Sequence, residues 1–62
     1  MNAEVGDLVM DFSGDLGTIS LVDTNETWGY HILWFNGYLQ GYITVHKLEE
    51  VWMMRKNLQL NS

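Results

Sequence analysis

The sequence predicts one small all-β domain, and three observations carry that prediction. Glycines at positions 6, 14, 17, 29, 37 and 41 divide short apolar runs, and proline is absent. Asn36-Gly37, a favoured two-residue hairpin turn, stands between two runs rich in β-branched and aromatic residues. Sixty-two residues without a repeat, linker or low-complexity segment leave room for a single core.

The elements follow in order. Asp7–Phe12 reads as a first strand, with Leu8, Met10 and Phe12 on one side and Val9 on the other. Gly14-Asp15-Leu16-Gly17 reads as a turn. Thr18–Val22 then forms a second strand, with Ile19 and Leu21 sharing a face. Asp23–Thr27 is a polar loop of turn-favouring residues. Tyr30–Phe35 and Tyr38–Ile43 make a hairpin around Asn36-Gly37, and a two-residue loop fixes the register. Trp34 is then expected opposite Leu39, Ile32 opposite Gly41, and Tyr30 opposite Ile43. That places Tyr30, Ile32, Trp34, Leu39 and Ile43 in the core.

Thr44–Leu48 reads as a short turn or 3-10 segment before a last strand at Glu49–Trp52. The domain is expected to span residues 1–52, with 53–62 as a C-terminal tail, flexible or a short helix. A helix over residues 45–58 competes, because Leu48, Val51, Arg55 and Leu58 would line one face.

A domain this small buries only about 60% of the surface its unfolded chain exposes. The absence of cysteine excludes disulfide staples and thiolate metal sites. Three Trp, three Tyr, two Phe and four Met supply bulk instead, more than so small a core can hide. Some aromatic surface is therefore expected to meet a partner.

Charge narrows the partner. The formal charge is −5, and no Lys or Arg precedes Lys47. Binding to a phosphate backbone or an anionic membrane needs a basic patch, so direct nucleic-acid and membrane binding are not expected. No run approaches the roughly 20 apolar residues of a membrane span, and no basic, apolar leader opens the chain. A cytoplasmic protein is the expectation.

Several segments resemble SH3-like barrels. Gly41-Tyr42-Ile43-Thr44-Val45-His46-Lys47-Leu48 is similar to the passage from the fourth SH3 strand through a 3-10 turn into the fifth. Leu8-Val9-Met10-Asp11-Phe12 resembles the Ala-Leu-Tyr-Asp-Tyr box, and Trp28 lies near the family's ligand-binding tryptophan. Val5-Gly6-Asp7-Leu8-Val9 and Gly14-Asp15-Leu16-Gly17-Thr18-Ile19 are similar to the opening of KOW modules. The combination also resembles small SH3-like proteins of tailed bacteriophages, including those infecting cyanobacteria. The resemblance covers residues 5–52 and implies a five-stranded barrel with a short 3-10 turn before the last strand. Departures bear on the ligand. Met10 stands where the groove's first tyrosine would be, Thr44 replaces its proline and Lys47 sits near its second tyrosine, which argues against proline-rich peptides.

Catalysis lacks a recognisable motif. His31 and His46 stand in no signature, no Cys nucleophile exists, and Ser13, Ser20 and Ser62 lie at turns, on a polar face or at the end. Asp23-Thr24-Asn25-Glu26 lacks the glycine a calcium loop needs, and Asp15 would repel phosphate from Gly14–Gly17. Asn25-Glu26-Thr27 matches a glycosylation acceptor by chance. No cofactor and no metal are expected.

What remains is a surface. The hairpin register gives His31, Leu33, Phe35, Tyr38, Gln40 and Tyr42 one face, and none of these carries a formal charge. A merely solvated face would hold charges, so His31, Leu33, Phe35, Tyr38 and Tyr42 form the candidate protein-binding face. The expected function is a non-catalytic interaction module whose partner is another copy or a host or virion protein. The alternatives are a KOW-like factor on a transcription or translation complex, a structural virion component, and an acidic DNA-mimicking decoy charged by Asp7, Asp11, Asp15, Asp23 and Glu26.

Overall fold

A computed structural model of the chain describes residues 3–55. It is all-β. The strands are β1 (Leu8–Met10), β2 (Leu16–Val22), β3 (Tyr30–Trp34), β4 (Ile43–His46) and β5 (Trp52–Arg55), with a 3-10 turn at Leu48–Glu50. They form one antiparallel sheet in the order β4-β3-β2-β1-β5, so β4 and β5 are its two edges.

The helix considered for residues 45–58 does not form over its described part, because β4, the 3-10 turn and β5 occupy that stretch. The last strand starts at Trp52 rather than Glu49, since Leu48–Glu50 is spent on the turn. β5 thus runs through Arg55, past the boundary expected at residue 52. The tail beyond it lies outside the described residues.

The core consists of Ala3, Val9, Ile19, Ile32, Trp34 and Val51, with Val22, Tyr30 and Leu39 packed against it. On β3 the expected alternation holds, with Ile32 and Trp34 buried and His31 and Leu33 half-buried. On β1, whose two sides the sequence leaves ambiguous, Val9 is inside and Phe12 exposed. β2 departs from simple alternation. Ile19 pairs with Ile32 and Leu21 with His31, so Ser20 is an extra residue, a β-bulge. The bulge turns Leu21 out of the face that Ile19 shares with the core.

The larger correction concerns the β3–β4 hairpin. Ile32 pairs with Thr44, Leu33 with Ile43 and Tyr30 with His46, so the connection is longer than two residues. Asn36-Gly37 does other work. The Asn36 side chain accepts the Leu16 N–H at 2.9 Å, and the Phe35 N–H donates to the Leu16 carbonyl at 2.8 Å. These bonds prolong the β2–β3 pairing beyond the strand end. Gly37 has φ +80°, and the Asp15 carboxyl lies where a Cβ would stand. Two tight turns then bring the chain back, closed by Gln40 N–H to Gly37 O and Tyr42 N–H to Leu39 O.

The register offset is odd, so the faces of β4 are exchanged. Thr44 and His46 point toward the core, and Ile43, expected inside, is 56% exposed. Two inward polar side chains need partners. The Trp34 indole N–H donates to Thr44 Oγ1 at 2.7 Å, and Thr44 Oγ1 meets His46 Nε2 at 2.5 Å. His46 Nδ1 lies 3.2 Å from Glu50 Oε1, which also accepts the Lys47 N–H at 2.9 Å. With the imidazole proton on Nδ1, donors and acceptors match from Trp34 to Glu50. The chain of bonds fastens β4 to the 3-10 turn.

Asp7 anchors the other side. It is fully buried, and its carboxylate accepts the Glu4 N–H at 2.8 Å. Its carbonyl accepts the Ile19 N–H at 3.0 Å and the Thr18 hydroxyl at 3.2 Å. Asp7→Ala removes the side-chain acceptor and should lower stability by about 1–3 kcal/mol in urea denaturation. A midpoint equal to that of the parent would show that the carboxylate contributes nothing.

Candidate protein-interaction face

The side of the sheet away from the core presents two cross-strand rows. One runs Leu21–His31–Val45 and the other Thr18–Leu33–Ile43. Residues paired directly across antiparallel strands share a face, so these six side chains form one surface. Leu21 is 50%, Ile43 56% and Val45 42% exposed. Phe35 continues the outward positions of β3 and is also exposed. No Lys, Arg, Asp or Glu enters either row.

The residues expected at the face divide. His31 and Leu33 lie in the rows, half-buried by their neighbours, with Phe35 at the end. Tyr38 and Tyr42 sit in the connection and at its exit, and Tyr38 is 93% exposed. Tyr42 backs onto Trp34 through its carbonyl, which accepts the Trp34 N–H at 3.1 Å. Three apolar members were not anticipated from sequence. Leu21 required the bulge, and Ile43 and Val45 required the longer connection. The apolar–polar alternation of Ile43-Thr44-Val45-His46 was the available signal, although its polar half faces inward.

Other sequence candidates find structural duties. Lys47 Nζ lies over the Trp28 ring, 4.7 Å from its centroid, linking the β2–β3 loop to the end of β4. Asp11 Oδ1 accepts the N–H groups of Ser13 and Asp15, and Asp23 Oδ1 that of Asn25. These carboxylates stabilise turns. Asp7, being buried, adds no charge to a surface decoy.

The Thr44–His46–Glu50 chain has the order hydroxyl, imidazole, carboxylate found in nucleophilic triads. Here the Thr44 oxygen already accepts the buried Trp34 N–H, which ties up a lone pair and lowers its nucleophilicity. The arrangement reads as a fastening. Among the described residues no group of three or more His, Cys, Asp or Glu could hold a metal ion. No described helix is long and apolar enough to cross a membrane. Compared with protein-family models, curated proteins and solved structures, the chain matches none.

Proposed function

We propose that the chain is a non-catalytic protein-interaction module that binds another protein through the outer face of β2, β3 and β4. The uncharged, apolar cross-strand rows on that face carry the reading. A surface meant only for water would intersperse charges, whereas interface centres lose charge and gain aromatic and aliphatic side chains. Phe35 continues the outward side of β3 at the end of the rows and supplies large contact area with few rotatable bonds.

The fold reading behind the proposal is an SH3-like barrel. Its supports are the five short strands, the 3-10 turn at Leu48–Glu50, and the return of β5 to β1. The bulge in β2 adds the local bend that helps such sheets coil. Proline-rich ligands do not suit this face, because the Thr44 hydroxyl points inward to Trp34.

Phe35→Glu places a charge at the end of the face and Leu21→Glu one within it, and neither enters the core. Each should abolish capture of a protein partner while leaving the circular dichroism spectrum and unfolding midpoint close to the parent's. Capture that survives both substitutions would overturn the proposal.

A further inference from the structure

We propose that the free edge of β4 accepts an extended, positively charged segment of another polypeptide as an additional strand. The inference rests on the interaction-face reading and names both the partner's chemistry and the way it is held.

Backbone geometry supplies the first support. The Trp34 N–H donates to the Tyr42 carbonyl, so the next inward-bonded partners of β3 are Thr44 and His46. Ile43 and Val45 fall at the alternate positions, and their N–H and C=O groups point away from β3. Among the described residues β4 is the outermost strand on this side of the sheet. Edges are normally protected by proline, a charged side chain or a bulge. Ile43-Thr44-Val45-His46 has no proline or Lys, Arg, Asp or Glu, and its pairing with β3 runs in continuous register. An added strand would pair with Ile43 and Val45, and its outward side chains would extend the apolar rows.

Charge selects the occupant. Glu49 and Glu50 lie in the 3-10 turn that leaves this edge. Lys47, which precedes them in the chain, is held over Trp28. A second copy would bring a further −5 charge to the same place, whereas a segment bearing Lys or Arg is drawn to it.

The test titrates acetyl-Lys-Val-Lys-Val-Lys-amide and its Glu counterpart into the isotopically labelled full chain, followed by amide chemical shifts. The lysine peptide should shift the Ile43 and Val45 amides and bind at least about tenfold more tightly than the glutamate peptide. N-methylation of its two valines should weaken binding by about tenfold or more, because it removes main-chain donors without altering the protein. Val45→Pro should weaken it likewise, since edge positions tolerate proline and the lost N–H lies outside the β3 ladder. The methylated-peptide arm decides the matter if that variant does not fold. Equal binding of methylated and unmethylated peptides, preference for the glutamate peptide, shifts confined to other strands, or pairing of β4 with a second copy would overturn the inference. Loss of partner capture in Phe35→Glu alongside an indifferent edge would sink the strand addition and leave the interaction face standing.

Discussion

Trp34→Ala should remove a large share of the domain's stability. Replacing a buried tryptophan by alanine costs about 3–5 kcal/mol. A domain of this length has about 3–9 kcal/mol in total. Trp34 is 2% exposed and is the largest residue of the core. Its loss also deprives Thr44 of the indole donor at the head of the bond chain that runs through His46 to Glu50. The damage should therefore spread from β3 to β4 and the 3-10 turn. Near-ultraviolet circular dichroism and urea denaturation would read it. Trp34→Phe keeps most of the apolar bulk and should fall between the parent and the alanine variant. A cooperative alanine variant with a midpoint near the parent's would contradict the packing described.

Gly17→Ala should be almost as damaging, by overcrowding instead of a void. A Cβ at Gly17 would stand 2.7 Å from the Leu33 carbonyl oxygen, 2.8 Å from Ile32 Cγ2 and 3.0 Å from Trp34 Cε3. The first of these is backbone in the neighbouring strand and cannot swing aside. Relief requires β2 and β3 to separate, which breaks the pairing at the centre of the sheet. We expect a loss of about 3 kcal/mol or more, and a domain this small tolerates little of that. Gly14→Ala is the informative comparison. Nothing lies within 4 Å of the Cβ position there, and the cost comes from the positive φ alone.

Gly17 also shows what could be read from the sequence. The spacing of Gly14 and Gly17 marks a turn, yet Gly17 belongs to β2, where a close-packed neighbour excludes any side chain. A glycine required by crowding and a glycine required by a turn look alike in sequence. The 3-10 turn was expected at Thr44–Leu48 and lies at Leu48–Glu50. The all-β class and the buried positions of β3 were legible because each depends on local pattern. The register of β4 was not. Asn36-Gly37 has the chemistry of a two-residue turn, but the Asn36 side chain instead accepts the Leu16 N–H, a contact twenty residues away in sequence.

The longer connection between β3 and β4 sets which side of β4 faces the core. It places Ile43 and Val45 beside Leu33 on the outer face and leaves Thr44 and His46 to be satisfied by Trp34 and Glu50. Of the candidate face, Leu33, His31 and Phe35 could be derived from β3 alone. Leu21, Ile43 and Val45 depended on a bulge and a register that no local pattern encodes.

If the apolar face of β2, β3 and β4 binds a different chain, as proposed, no second copy covers it in the free protein. Light scattering over a dilution series from high to low micromolar, at low ionic strength, tests that most directly. The prediction is a mass of 7.2 kDa at every concentration, because the −5 charge opposes self-pairing. A mass twice that value, persisting on dilution and collapsing to the monomer in Ile43→Glu, would contradict it. The face would then be covered by a second copy.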